Sequence, residues 1–462
     1  MRDRRGSDTL MAGRMDAAHA ASRRSTVFTA VVLFPLCFAV YFGVGRYYLV
    51  LDAYPNELLP EAVIRHRSLT FDAYFDPAAP NLPFCLARPG NHVISYYPIV
   101  PGLLNIPAYL VARAAGVSFD VLANRQVVAK ATTAWTSAAS VALLYLTLVR
   151  LLPAARGHRP AVGFALFYAF GTCLWPIGSQ ALWQHGPALM FFTAALACLV
   201  RPVSRFFPLA GFLLGMAFWN RPSDLLLVLP LGLYVVLHHR TRLLAFATAA
   251  GPPVLAMALY SQIYWGSLAA LGQGHRSSGV FLGSPYHLHG PILAGLAGIL
   301  FSPARGLFVF TPAFLFAMPE LARSLLRPRD PLLRYLCLGA LGIVALVAKI
   351  NLWWGGHSFG YRYLVGTVPV FTVLLAVGWC HWPQSGRARR LLWAGFLPLA
   401  LIGLYIQFLG AAYFPCGWNA TPVDVDRAPE RLWDWSDTEI GRCHRRFLAD
   451  ARTALAPGAP QP

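Results

Sequence analysis

Lysine is almost missing from this chain of 462 residues: Lys130 and Lys349 are the only two, and every other one of its 38 lysine and arginine side chains is arginine. With 39 glycines and 36 prolines beside it, that bias points to a GC-rich bacterial genome. Acids are scarce as well, 19 in all, and charged residues of either sign make up 12% of the chain against 57% hydrophobic. Such a balance excludes a soluble globular protein, because one core cannot bury that much apolar surface. Lipid must be the solvent. A formal net charge of +19 would suggest nucleic acid in a soluble protein, so the positions of the arginines decide its meaning. Cations cluster at 2–24, 150–159, 201–205, 238–242, 323–334 and 387–390, in every second loop between apolar runs. That alternation is the pattern of loops retained on the cytoplasmic side, and no nucleic-acid partner is expected.

The basic N-terminal stretch lacks a small-residue cleavage site, so the first apolar run reads as an uncleaved span rather than a signal peptide. The 8 cysteines show no metal-binding spacing. Cys37, Cys173, Cys198, Cys337 and Cys380 lie in or beside apolar runs as small hydrophobes. Cys85, Cys416 and Cys443 fall on the outer side, where a disulfide persists, and a bridge between Cys416 and Cys443 is one pairing open to them. No internal repeat is visible, which weighs against a transporter built from inverted halves.

Apolar runs able to cross ~30 Å of hydrocarbon as helices are 26–51, 127–149, 161–178, 185–200, 206–219, 223–237, 243–265, 305–320, 334–352, 362–380 and 391–413. The expected fold is therefore all-α and polytopic, with about 11 transmembrane helices. Residues 1–25 form a basic cytoplasmic N-terminus, 26–413 the membrane domain and 414–462 a tail on the opposite side. Outer loops are expected at about 52–126 and 266–304, the first large and carrying interfacial helices. Its apolar stretch 99–115 is interrupted by prolines and reads as an interfacial helix rather than a further span. Residues 456–462 read as disordered.

Asp52 closes the first span on the outer side, where a partly desolvated carboxylate has raised proton affinity and suits a general base. The plainer alternative is a helix cap or a pair with Arg46. Ionisable groups at the depth of Lys130 and Lys349 serve a task or snorkel to the interface. Arg362 follows an aromatic, glycine-rich turn and could hold a phosphate with its fork, or anchor the interface. Arg305 and Arg221 sit at outer turns with the same two readings. Gln184 and His185 could contact a sugar hydroxyl or phosphate, although a histidine between aromatics is commonly structural. His287 and His289 have no third ligand nearby and are discounted as a metal site. Trp353, Trp354, Trp418, Trp433 and Trp435 could stack on sugar rings or form an interfacial belt. Asn419-Ala420-Thr421 is a glycosylation sequon by spacing and is expected to be unused.

Several motifs occur in a suggestive order: Asp52, then Leu58-Leu59-Pro60, Ser68-Leu69-Thr70-Phe71 and Ser95-Tyr96-Tyr97-Pro98. Further on come Leu182-Trp183-Gln184-His185-Gly186, Ser302-Pro303-Ala304-Arg305-Gly306, Trp353-Trp354-Gly355-Gly356 and Phe359-Gly360-Tyr361-Arg362-Tyr363. The arrangement resembles the GT-C membrane glycosyltransferases, in particular a bacterial branch related to protein mannosyltransferases and aminoarabinose transferases, and the resemblance covers most of the chain. It implies transfer of a sugar from a polyprenyl-phosphate carrier to a lipid, glycan or protein acceptor on the outer face of a bacterial plasma membrane. Asp52 would be the base, and Glu57, Tyr97, Lys130, Gln184, His185, Arg221, Arg305, Lys349, Tyr361 and Arg362 would be the substrate-binding candidates. Where better-known relatives often carry a second acid directly after the first, this chain has Ala53, and the next acid is Glu57. No cofactor is expected, and a divalent metal is left open without a residue pattern to indicate it. Two other readings remain: a transporter of lipid-linked saccharides, and a non-catalytic membrane subunit of an envelope-assembly complex.

Overall fold

The computed structural model describes residues 4–44, 51–79, 81–154, 158–201, 203–270, 288, 290–328 and 330–455, with side chains from residue 24 onward. His287, His289 and the stretch 456–462, singled out above, lie outside the described residues. The chain begins with α1 (Arg4–Gly43) and a helical turn at Leu51–Ala53, followed by α2 (Tyr54–His66). A two-stranded antiparallel ribbon, β1 (Leu86–Ala87) with β2 (Ile94–Ser95), leads to α3 (Val100–Ala114). The helices then run through α4 (Leu122–Leu151), α5 (Arg159–Phe170), α6 (His185–Leu199), α7 (Phe206–Asn220), α8 (Leu225–His238) and α9 (Leu243–Trp265). They continue as α10 (Ile292–Phe301), α11 (Leu307–Phe310), α12 (Met318–Leu326), α13 (Pro331–Lys349), α14 (Val368–Trp379), α15 (Gly386–Tyr413) and α16 (Glu439–Leu455).

This is an all-α membrane protein. Among the described residues, six helical stretches are long and apolar enough to cross a bilayer: Arg24–Gly43, Leu122–Leu151, Arg240–Trp265, Pro331–Lys349, Arg362–Trp379 and Gly386–Tyr413. Shorter apolar helices occupy His185–Leu199, Phe206–Asn220, Pro222–His238 and Ile292–Phe301. Two of the runs read as single spans are broken. The run at 161–178 becomes α5 followed by a wider turn at Leu174–Gly178, and the run at 305–320 becomes α11, a tight turn at Pro312–Ala317 and the start of α12. Proline explains both interruptions, since Pro176 and Pro312 each lack an amide for the continuing ladder. The stretch 99–115 does form a helix, α3, which packs on α2.

Local chemistry sets the helix ends. Asp330 caps α13 by accepting from the Leu332 amide at 2.9 Å, with Pro331 in the first turn. α2 stops where Arg67 turns left-handed, at φ 51°.

Small residues let the helices approach. Thr133 and Ser137 on α4 both donate to the Gly178 carbonyl, at 2.7 and 2.8 Å. A Cβ at Gly186 would come within 2.6 Å of that same oxygen, so only glycine lets the first turn of α6 lie there. The main core runs through α4, α5, α6, α13 and α14, whereas a second cluster, with Leu58, Leu59, Phe71, Val93 and Tyr260, sits under the loop before α3.

The tail after α15 is a built element. Cys416 and Cys443 are disulfide-bonded, closing the pairing left open by the sequence. Trp418, Val425 and Leu432 pack with Ala304 and Trp354 in a small core of their own.

Candidate functional site

Three chain segments meet at Asp52. Its turn at Leu51–Ala53 lies just before α2, with Pro55 in that helix's first turn. The Oδ2 atom pairs with Nη2 of Arg362, which opens the turn leading into α14, and the Tyr97 hydroxyl donates to Oδ1 at 3.0 Å. The side chains of Asp52 and Arg362 are 15% and 16% exposed, so neither is deeply buried and both are reachable from one side.

The Arg362 guanidinium lies over the Trp183 ring, 4.5 Å from its centroid, and the edge of that ring meets His185 at 5.6 Å. The cation–π contact fixes the arginine head in place. Segment 182–184 is held from two sides. Asn56 on α2 donates to the Leu182 carbonyl at 3.0 Å, and Asn220 at the end of α7 donates to the Gln184 carbonyl at 2.8 Å. His185 is thereby fixed at the N-terminus of α6, where amides point outward and favour an anion. Arg221 lies next to this group: it donates to the Tyr363 carbonyl at 3.0 Å, one residue from Arg362, and pairs with Asp224 at 3.2 Å.

Three buried nitrogens in this neighbourhood, Trp183 Nε1, His185 Nδ1 and Arg362 Nε, have no hydrogen-bond partner among the described residues. Unmet polar atoms are costly and are rare unless something else satisfies them. Several at once, beside a cation and an aromatic face, form a surface suited to a phosphate or a sugar hydroxyl.

The remaining candidates are placed differently. Arg305 is fully buried and its donors are all taken: by the carbonyls of Ala304, Trp354 and Gly356, by Asn419, and by Glu439 at 3.0 Å. It clips the tail to the turn before Arg362. Asn419 of the sequon is buried in that same knot, donating to Glu439 at 2.8 Å. The Tyr361 hydroxyl bonds Thr311 at 2.6 Å inside the helical core. Lys130 is buried on α4 and donates to the Val44 carbonyl at 3.4 Å, just past the C-terminal end of α1, whereas Lys349 is exposed at the end of α13. Glu57 is buried on α2, one turn beyond Asp52, with Oε2 unpartnered among the described residues, and burial pushes its carboxyl up to about 7 against the lowering influence of Arg125. Trp354 donates to Asp426 at 2.7 Å, and Trp353 packs against Trp433.

Some groupings were not legible in the sequence. Asp224 gives no signal beyond its nearness to Arg221. His357, Asp424 and Asp426 bring ligand atoms within 4.8 Å of one another and could hold a metal ion. Their separation in the chain hides them from a spacing rule. His357 Nε2 already lies within hydrogen-bond distance of Asp424, at 3.2 Å from Oδ1. Compared with protein-family models, curated proteins and solved structures, the chain shows no match, so the functional reading rests on the site.

Proposed function

We propose that the protein is a membrane glycosyltransferase that moves a sugar from a polyprenyl-phosphate carrier to an envelope acceptor on the outer face of a bacterial plasma membrane. The observation that carries this is the Asp52–Arg362 pair, which joins a carboxylate in the turn before α2 to a cation 310 residues away. A base for the acceptor and a partner for the phosphate stand side by side. Eleven crossings complete the picture: α1, α4, α5, α6, α7, α8, α9, the α11–α12 unit, α13, α14 and α15. With the arginine-rich ends inside, the N-terminus is cytoplasmic, and Asp52, Arg362 and the tail face outward.

In the reaction an acceptor hydroxyl attacks the anomeric carbon from the face opposite the phosphate. The new oxygen–carbon bond forms as the carbon–oxygen bond to phosphate breaks, and that electron pair leaves on polyprenyl phosphate. The hydroxyl proton passes to Asp52, and configuration inverts. A phosphate monoester leaves without protonation, so no second carboxylic acid is needed, unlike in glycoside hydrolysis. Arg362, braced on Trp183, offsets the charge gathering on the phosphate.

Purified protein in nanodiscs, given radiolabelled polyprenyl-phosphate sugars and candidate acceptors, tests this directly. Asp52→Asn should slow release of polyprenyl phosphate by ~10²-fold or more. Full transfer activity in that variant would remove Asp52 as base, and no turnover of any such donor by the wild type would sink the reading.

A further inference from the structure

The cation placed to receive a donor phosphate is not free. Nη2 of Arg362 is taken by Oδ2 of Asp52, the same carboxylate that has to accept a proton. In this arrangement neither group can do its work: Nη2 is occupied, and the Asp52 oxygen that would take the acceptor's proton is turned onto the guanidinium.

We infer that the Asp52–Arg362 pair is a latch which the donor's phosphate opens, so that binding of the lipid phosphate both fills Arg362 and arms Asp52. This rests on the glycosyltransferase reading and adds an order of events to it. Three features of the site support the exchange. Arg362 is held by its stacking on Trp183 rather than by Asp52 alone, so the guanidinium stays in place when the carboxylate leaves. Its Nε is buried with no hydrogen-bond partner among the described residues, which leaves one prong of the fork for a second phosphate oxygen. A planar fork that meets one carboxylate oxygen is poorly matched as it stands, whereas phosphate can engage Nε and Nη2 together. Oδ1 of Asp52 stays tethered by the Tyr97 hydroxyl at 3.0 Å, so the released carboxylate remains beside the phosphate. There Oδ2 is free of the guanidinium and open to the acceptor hydroxyl. Acceptor deprotonation is thereby suppressed until a donor is in place.

The consequence separates a latch from a simple catalytic base. Removing the charge of Asp52 should strengthen donor binding while abolishing transfer. The probe is a polyprenyl monophosphate without sugar, titrated against the full chain in nanodiscs for wild type, Asp52→Asn, Asp52→Ser and Arg362→Ala. Each variant is first checked for an unchanged thermal transition. When the binding-competent open state is only a fraction of the population, apparent affinity falls by that open fraction, so the two neutral variants should bind at least about threefold tighter than wild type. Arg362→Ala should lose binding. If wild type binds and both neutral variants bind equally or more weakly, the latch is wrong while the donor reading stands. Failure of the wild type itself to bind would bring down both. Two neutral replacements keep the test decisive if one of them folds poorly.

Discussion

Burial holds the Glu57 carboxyl at about 7, and Glu439 is likewise raised to about 7, with burial the larger influence and Arg305 opposing it. The two differ in company. Glu439 has Arg305 and Asn419 as partners, whereas Glu57 has an oxygen with none among the described residues. A carboxyl whose proton affinity is higher folded than unfolded favours the folded state at low pH. Its stabilising effect is lost as pH climbs from the unfolded value, about 4.5, to the folded one, about 7. Glu57→Gln should therefore raise the thermal midpoint at pH 8, by the equivalent of ~3 kcal/mol, and leave it unchanged at pH 4. Equal midpoints for the two proteins at pH 8 would show that the ionised carboxylate carries no penalty. An uncompensated acid retained beside the site fits a group kept for function at the expense of stability. The sequence marked Glu57 as the next acid after Asp52 and, through the resemblance, as a substrate-binding candidate, but not as a buried acid. Its isolation among Leu58, Leu59 and their neighbours is a product of folding.

Between elements, the closest approaches are made where a side chain is missing. α7 and α9 touch at Gly211, where a Cβ would stand 2.0 Å from the Phe246 carbonyl oxygen. On an exposed helix surface, glycine to alanine gains up to about 1 kcal/mol. Here the sign should reverse, with Gly211→Ala lowering the thermal midpoint and the yield of folded protein, because backbone rather than a flexible side chain has to move. A higher midpoint would mean that the two helices part at little cost. This contact also bears on the site, since α7 carries Asn220, which holds segment 182–184. Apolar runs in the sequence located most helices well, because lipid demands a continuous internal ladder over each crossing. Periodicity could not tell which face of each helix packs, since helices apolar all round show no stripe. The breaks at Leu174–Gly178 and Pro312–Ala317 needed the structure, as did α16.

Across the whole molecule, the helix ends sort into two sets. At one end, His238 meets Tyr335 at 3.3 Å and Arg323 meets His381 at 2.8 Å, beside the arginine-rich loops. At the other end lie Asp52, Arg362, Arg221 and the clipped tail. The proposed orientation makes a direct prediction from this. In intact cells, a membrane-impermeant maleimide should label Ser436→Cys in the exposed tail and spare Ser385→Cys in the exposed loop before α15 until the cells are opened. The reverse pattern would invert the topology and place Asp52 on the cytoplasmic side, where the proposed reaction does not belong.

Composition alone determined that the chain lives in lipid, because insertion responds to local hydrophobicity that a linear reading captures. Sequence also nominated Asp52, Tyr97 and Arg362, each from its own motif. Only the tertiary structure decided that these three share one site, that Arg305 spends its donors on the tail and that Tyr361 turns into the core. Whether a side chain is free or already engaged depends on partners tens to hundreds of residues distant, as with the 310 residues between Asp52 and Arg362. Contacts of that range exist only once the helices have packed.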